Sequence, residues 1–253
     1  MLRARCPDCR TFTAVAVGPD YECHSCGREY RAGLVRVPRA WGKGGEKMAE
    51  GAGLGVPYPE TGSVLHDSLE EQSAELASVL PERPLVLGGC CCSHVGAVRG
   101  LAARHERLAV VWIDAHGDLN TPETSPSGNE WGMPLRMLLD AGVVGPGRVA
   151  LVGARNLDPP EVEYLAETGI DDSLERALAG GGAVYVALDL DVLDPAVADV
   201  FMPEPDGLGV EAVEDVLRDT ASRATIVGVG VTGFLPRDRN IGVVARLLAA
   251  AGL

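Results

Sequence analysis

The sequence predicts an α/β fold in which helices cover both faces of a central parallel sheet. Two runs, residues 108–113 and 183–188, are continuously apolar, as in strands that are buried on both faces. Such runs alternate with helical patterns along most of the chain, which is the order typical of βαβ units. With 253 residues, the chain has room for one large domain and a small additional module.

In the predicted main domain, strands and helices alternate from residue 34 onward. Strands are predicted at 34–40, 85–87, 108–113, 148–152, 183–188 and 224–231. Helices are predicted at 68–80, 91–103, 134–141, 159–167, 172–179, 210–220 and 241–251. The first helix carries its apolar residues on one face and is closed by Pro81, and the third begins at Pro134. The Gly-rich stretch 41–62 is predicted to be a loop with one short helix.

The composition excludes several classes of protein. No apolar run reaches the roughly 18 residues that a membrane span requires. The net charge of −14 opposes general binding to nucleic acid. The N-terminal MLRARCPDCR lacks the apolar segment of a secretory signal, so a cytoplasmic location is expected.

Four of the seven cysteines form two CxxC pairs near the N-terminus. Each pair can grip a metal ion from a tight turn, and two such turns complete a tetrahedral thiolate site. The pattern predicts a zinc ribbon over residues 1–33, which is too small for its own core and would need Zn²⁺ to fold. The predicted ligands are Cys6, Cys9, Cys23 and Cys26. The sequence leaves two alternatives open, disulfide pairing and a module that docks onto nucleic acid or protein.

Ionisable side chains follow the 108–113 strand at every second position: Asp114, His116 and Asp118. In an extended chain, alternate residues point the same way. Open α/β sheets bind their ligands at the carboxyl ends of the strands. Carboxylates that cluster there repel one another, and a divalent cation relieves that repulsion. The alternative is a strand end whose carboxylates are ionised in solvent.

The 183–188 strand repeats this design, because Asp189 and Asp191 follow it two positions apart. Two strand ends with alternating acids supply enough ligands for more than one ion. Oxygen ligands with one imidazole favour Mn²⁺ or Fe²⁺ over metals that prefer thiolates. The sequence therefore predicts a metal site at this edge of the sheet.

DAHGDLNTP (114–122) and LDLDVLDP (188–195) resemble two metal-binding signatures of the ureohydrolase family, which includes arginases and agmatinases. The resemblance covers residues 34–253 and leaves the ribbon outside. It implies a three-layer α/β/α sandwich. It also implies hydrolysis of a C–N bond at a guanidinium-like carbon by a hydroxide bridging two Mn²⁺ ions. A small-molecule substrate and a homo-oligomer, trimeric or hexameric, are implied as well.

The resemblance also implies roles for individual residues. Asp114 and Asp189 would bridge the two metals, and His116 and Asp191 would complete the inner position. Asp118, which is also assigned a catalytic role, would bind the outer metal. The remaining outer ligand would be Cys91 or, one helical turn later, His94.

The resemblance further implies contacts with the head group of the substrate. In arginases, the residues at the positions of Asn120, Ser127 and Asn129 hold the α-carboxylate of the substrate, and the residue at the position of Asp158 holds its α-amino group. Each of these four residues is alternatively a loop-capping residue.

The chain departs from the family pattern at three places. Cys91 stands where the first signature, Gly-Gly-Asp-His-Ser, has its metal-binding His. Trp131 stands where the family has an active-site His. It is therefore predicted to occupy a catalytic position, with an indole in place of the imidazole. The late Glu that grips the guanidinium has no acidic counterpart in residues 228–236, where Thr232 or Gly233 takes its place.

These features together predict a metal-dependent hydrolase that acts on a guanidino- or amidino-type compound, with one or two Mn²⁺-type ions. The head-group positions favour an amino-acid derivative as that compound. The departures predict that the substrate is not ordinary arginine. The competing hypothesis is a catalytically weak relative that binds a metal or a small molecule.

Overall fold

The computed structural model describes residues 3–253. The N-terminal part forms a four-stranded antiparallel sheet in the order β1-β2-β3-β4. Its strands are β1 (Arg3–Ala4), β2 (Ala14–Val17), β3 (Asp20–Cys23) and β4 (Glu29–Tyr30). The four cysteines lie in and around these strands, as a ribbon requires.

The main body is a seven-stranded sheet in which all neighbouring strands are parallel. Its strands are β5 (Gly33–Val37), β6 (Glu60–Ser63), β7 (Pro84–Gly88), β8 (Ala109–Ile113), β9 (Val149–Val152), β10 (Ala183–Asp189) and β11 (Thr225–Thr232). Across the sheet they lie in the order β6-β5-β7-β11-β10-β8-β9. The order places β7, β11, β10 and β8 side by side.

Helices cover both faces of this sheet. They are α1 (Glu46–Ala49), α2 (Leu69–Val79), α3 (Ser93–Ala102), α4 (Pro134–Asp140), α5 (Pro159–Thr168), α6 (Leu174–Ala177), α7 (Val210–Arg223) and α8 (Asp238–Ala250). Alternate strand residues enter opposite cores: Val111 packs with α7 and α8, whereas Val110 packs with α2, α3 and α4. The three-layer sandwich predicted from the sequence is therefore confirmed.

The small N-terminal sheet contacts the outer strand of the large one. Arg5 and Glu60 exchange two backbone hydrogen bonds of 3.1 Å in an antiparallel bridge. The Arg83 guanidinium lies 2.9 Å from the Asp20 carboxylate. Because β6 is an edge strand, this contact covers backbone groups that would otherwise be open to other chains.

The sequence predicted short ribbon strands at 11–17 and 29–31, where β2 and β4 lie, but it gave no sign of β1, β3 or β6, and several predicted boundaries are shifted. The helix predicted at 91–103 begins at Ser93, so Cys91 lies in the turn before it. The helix predicted at 172–179 covers only Leu174–Ala177. Over residues 3–253, none of the helices has the length and apolar character needed to cross a bilayer.

Candidate active site

The candidate ligands converge because their strands are neighbours. Asp114 follows β8, Asp189 ends β10, and Cys91 follows β7 after a short turn. Since these parallel strands end at one edge of the sheet, their side chains meet there. Together with Gly233, which follows β11, they line a cavity of about 160 Å³.

The inner cluster consists of Asp114, His116 and Asp191, whose ligand atoms all lie within 4.8 Å of one another. His116 Nδ1 lies 3.1 Å from Asp191 Oδ2 and 3.4 Å from Asp114 Oδ1. Backbone N–H groups hold both carboxylates: His116 donates to Asp114 at 2.7 Å, and Ala115 donates to Asp191 at 3.2 Å. One imidazole nitrogen and two carboxylates thus face a common point.

The outer cluster consists of Cys91, Asp114 and Asp118, again with ligand atoms within 4.8 Å. Asp118 adopts a left-handed backbone conformation, with φ of 52°. Its Oδ2 atom is buried and has no hydrogen-bond partner among the described residues. A buried carboxylate oxygen without a partner is costly, and a cation at this point would satisfy it. The donor set therefore fits a divalent metal ion.

Asp189 connects the two clusters. Its Oδ1 accepts a hydrogen bond from the Asp191 N–H at 2.9 Å, and its Oδ2 accepts from Cys91 Sγ and Thr232 Oγ1, each at 3.0 Å. A side chain on Gly233, which has φ of 74°, would overlap the Asp189 carboxylate. The glycine therefore permits this close backbone approach.

The electrostatics of the clusters also favour a cation. Burial, reinforced by neighbouring carboxylates, raises the pKa of Asp189 to about 7 and that of Asp191 to about 6. The same causes raise the pKa of Asp118 well above its usual value. Burial opposes protonation of His116, but hydrogen bonds to Asp114 and Asp191 raise its pKa to about 12. The protein without metal thus holds protons where a metal would hold positive charge.

The structure does not bring His94 into either cluster, and the option that it binds the outer metal is not supported. Its Nδ1 lies 2.9 Å from the Tyr185 hydroxyl, and its Nε2 lies 3.3 Å from Thr232 Oγ1. The helix begins after Cys91, so His94 points behind the cluster, against the Trp112 ring at 5.0 Å between ring centroids. Among the two candidates, Cys91 is the residue with a ligand atom in the outer cluster.

The predicted head-group residues fall into two groups. Asn120, Ser127 and Asp158 line the cavity, and Asn120 Nδ2 donates to Asp158 Oδ2 at 2.8 Å. Asn129 is absent from the cavity lining, because its side-chain carbonyl accepts from the Lys43 N–H at 2.9 Å. Asn129 therefore fastens the loop, which is the capping alternative considered for it.

Trp131 forms an apolar wall of the cavity. Its ring meets Phe201 edge to face, with centroids 6.0 Å apart, and Met48 and Met202 line the same cavity. The backbone of Gly42 packs so closely on the indole that a Cβ there would overlap it. The ring is therefore fixed, and an indole offers the cavity no group that can transfer a proton near neutral pH.

Several residues around the site were not identified from the sequence. Glu204 Oε1 lies 3.3 Å from His116 Nε2. Glu161 Oε1 accepts from the Leu119 N–H at 2.9 Å and braces the loop that follows Asp118. Arg155 donates to the backbone carbonyls of both Asp191 and Glu204. These contacts join distant loops, and only the helix-start position of Glu161 carries a local signal, the capping box.

The N-terminal cysteines form a third cluster, in which all four sulfur atoms lie within 4.8 Å of one another. Cys9 Sγ is 3.6 Å from Cys23 Sγ, and Cys6 Sγ is 3.8 Å from Cys26 Sγ. Tetrahedral zinc with Zn–S bonds of about 2.3 Å places its sulfurs about 3.8 Å apart. A hydrogen bond from Thr13 lowers the pKa of Cys23 to about 5, which favours a thiolate. The geometry fits zinc, and all four cysteines are free thiols rather than disulfides.

The chain is similar in sequence and in fold to known proteins of one family. Residues 47–251 match the arginase family. The arginase of Bacillus subtilis (strain 168) is 38% identical over 157 residues, which cover 50% of this chain and 53% of that protein. The crystal structure of arginase from Bacillus cereus superposes with a TM-score of 0.73 at 26% identity, over 87% of this chain and 96% of that one.

The proclavaminate amidino hydrolase of Streptomyces clavuligerus shares the fold, with a TM-score of 0.68 at 22% identity over 87% of this chain and 89% of that one. Because the family match spans most of the sequence, the chain belongs to the arginase family. It spans about half the length of the curated relatives that it matches.

Proposed function

We propose that the protein is a metal-dependent hydrolase that cleaves a C–N bond of a guanidino- or amidino-type small molecule. The observation that carries this proposal is the convergence of the two ligand clusters on one cavity. Asp114 and Asp189 would bridge two ions, His116 and Asp191 would hold the inner one, and Asp118 and Cys91 the outer one. When bound, such ions lower the pKa of coordinated water and polarise the substrate.

The protein's own residues prepare this chemistry. Backbone N–H groups and Thr232 fix the carboxylates before any ion binds, so the ligands need little rearrangement. The fixed Trp131 ring gives one side of the cavity an apolar wall. Asn120 and Asp158 provide paired polar atoms at the cavity wall, and we infer that they contact the head group of an amino-acid derivative.

Ordinary arginine is not the expected substrate. Arginases place an acid against the guanidinium, but the counterpart in this chain is Thr232 or Gly233, neither of which is acidic, and a side chain on Gly233 would overlap Asp189. Trp131 likewise replaces a titratable residue by an apolar ring. Both changes favour a substrate whose amidine group is less strongly cationic than a guanidinium or carries a substituent.

The test is hydrolysis by the full chain, loaded with Mn²⁺, of a panel containing arginine, agmatine, N-hydroxylated guanidino acids, formimino acids and amides. We expect turnover of a substituted guanidino or formimino compound that greatly exceeds turnover of arginine. Asp189→Ala should abolish that turnover, whereas Asp219→Ala, at a partly exposed residue of α7 outside the cavity lining, should not. A protein with both metal positions filled that hydrolyses no member of the panel would contradict the proposal.

We further infer that the ribbon is a structural module that holds one Zn²⁺ through its four cysteines. Its backbone bridge to β6 supports a structural role. Deleting it should lower the stability of the main domain while leaving turnover largely intact. Loss of all activity in a truncated protein that remains folded would contradict that role.

A further inference from the structure

A buried chain of hydrogen bonds runs behind the outer cluster. The Tyr185 hydroxyl lies 2.9 Å from His94 Nδ1. His94 Nε2 lies 3.3 Å from Thr232 Oγ1, which in turn lies 3.0 Å from Asp189 Oδ2. All four side chains are buried, and Tyr185 and Thr232 are completely inaccessible to solvent. The polar groups of this chain must therefore satisfy one another.

Counting donors and acceptors decides the direction of the chain. If the Tyr185 O–H donates to His94 Nδ1, then His94 carries its proton on Nε2 and donates to Thr232. The Thr232 O–H then donates to the Asp189 carboxylate at 3.0 Å, which is a nearer and stronger acceptor than Cys91 Sγ at 3.3 Å. In this arrangement each hydroxyl and the ring N–H has an acceptor, and the Asp189 carboxylate receives a hydrogen bond.

The two other protonation states leave a donor without a partner. With the proton on Nδ1, His94 would donate to the Tyr185 oxygen, and the phenolic O–H would have no acceptor among residues 3–253. Thr232 would then donate to Nε2 and be lost to Asp189. An imidazolium would strand the same phenolic O–H, and burial already lowers the pKa of His94 to about 3.

We propose that His94 is a positioning residue, held by Tyr185 as the neutral Nε2–H tautomer, which makes Thr232 donate to Asp189. Asp189 Oδ1 is already fixed by the Asp191 N–H at 2.9 Å. The chain fixes Oδ2 as well, so the carboxylate that both metal positions would share has one orientation. The part of this proposal that concerns metal binding rests on the proposed function, whereas the tautomer does not.

The surrounding backbone is built to admit this pair of side chains. A Cβ at Gly230 on β11 would overlap the Tyr185 hydroxyl and would lie 2.6 Å from His94 Nδ1. Glycine at this position leaves room for the hydrogen bond between them. The Trp112 ring, edge to face with His94, closes the other side.

The first test is ¹⁵N NMR of the ring nitrogens in the full chain, prepared without Mn²⁺ because that ion is paramagnetic. The chain has five histidines, and the spectrum of His94→Gln identifies the resonances of His94. We expect a neutral ring with the proton on Nε2, and a mixture of tautomers in Tyr185→Phe. An Nδ1–H tautomer or an imidazolium in the wild type would overturn the proposal.

The second test is Mn²⁺ titration followed by the EPR signal of the free ion. Thr232→Val keeps the shape of the side chain but removes the donor, and should weaken Mn²⁺ binding by about 10- to 100-fold, as is usual when a ligand loses its supporting hydrogen bond. Thr232→Ser should bind nearly as the wild type does. Thr225→Val, at the exposed start of the same strand, is the matched control.

Wild-type affinity in Thr232→Val would overturn the positioning role even if the NMR result were as expected. Neither test depends on turnover. A protein that shows the expected tautomer and affinity changes but hydrolyses nothing would refute the proposed function alone.

Discussion

Cys91 is the residue whose chemistry fits the rest of the cluster least well. Burial, together with the nearby Asp118, Asp189 and Asp114 carboxylates, raises the pKa of its thiol well above the ordinary value. The thiol must lose its proton to bind a metal, and a thiolate prefers Zn²⁺ or Cu⁺ to Mn²⁺. The outer position should therefore bind Mn²⁺ more weakly than the inner one.

Cys91→His tests this inequality. An imidazole binds as a neutral ligand, so we expect Mn²⁺ content to rise from about one ion per chain towards two. Cys92→Ala is the control, because Cys92 is a neighbouring buried cysteine outside the cavity lining. Two equally tight Mn²⁺ ions in the wild type, measured by titration, would show that Cys91 does not weaken the site.

The shared carboxylates give a second prediction for single residues. Asp114→Ala or Asp189→Ala should empty both metal positions. Either change removes a carboxylate that the two ions would share, so each ion loses a ligand while the remaining charges of the site still repel one another. Asp194 belongs to the same sequence motif as Asp189, but its carboxylate accepts a hydrogen bond from the Ala196 N–H. Asp194→Ala should therefore leave the metal content unchanged. Unaltered stoichiometry in the first two variants would refute the proposed site.

At the residue scale, sequence reasoning found the residues that follow a strong strand signal. Asp114, Asp118, Asp189 and Asp191 lie at the ends of buried strands, so their convergence was predictable from the parallel sheet. The spacing of Cys91 and His94 left both as candidates for the outer metal ligand. In the structure His94 lies behind the outer cluster, because the helix begins after Cys91. Glu204 and Arg155 had no signal, because their contacts join loops that are distant in sequence.

At the scale of elements, the strands with apolar runs were predicted, whereas the short or polar strands β1, β3 and β6 were not. β6 has the sequence ETGS and forms because its backbone pairs with β5 and with Arg5. An edge strand needs no apolar residues on both faces, so the pattern that reveals β8 and β10 is absent from it. β3 likewise depends on its neighbours in the ribbon.

The ribbon is the element whose removal can be tested directly. Since Arg5 bridges to Glu60 and Arg83 pairs with Asp20, a chain that begins at residue 34 should expose the β6 edge. We expect it to lose one Zn²⁺ per chain by elemental analysis, to melt at a lower temperature and to aggregate more readily. Cys6→Ser combined with Cys23→Ser in the full chain should have the same effect on zinc. Equal zinc content with and without the ribbon would contradict the assignment.

At the scale of the whole molecule, the fold buries a group of acidic side chains together at the candidate site. The chain carries a net charge of −14, and its buried acids include the four aspartates of the candidate site. A fold that gathers these groups without a counterion is destabilised when they ionise. Metal binding and folding stability should therefore be coupled throughout the molecule. The homo-oligomer implied by the family resemblance stays a prediction, and the coupling does not depend on it.

This coupling predicts a characteristic dependence of stability on pH. The pKa of Asp189 is about 7 and that of Asp191 about 6 in the folded protein, against an ordinary value of 3.8. Between about pH 4 and about pH 7 the metal-free folded state therefore binds more protons than the unfolded state, so raising the pH should lower its free energy of unfolding. His116 acts in the same direction above its ordinary pKa of 6.5, because its folded-state pKa is about 12.

Mn²⁺ should reverse the trend, since the ion binds the ionised carboxylates and stabilises the folded state more as the pH rises. Urea unfolding from about pH 5 to about pH 8, with and without Mn²⁺, measures both slopes. Asp189→Asn should flatten the metal-free slope, because it removes one of the titrating groups, whereas Asp219→Asn on the surface of α7 should not. A metal-free protein that becomes more stable as the pH rises over this range would show that these carboxylates are already ionised in the fold, and that the cluster does not need a cation.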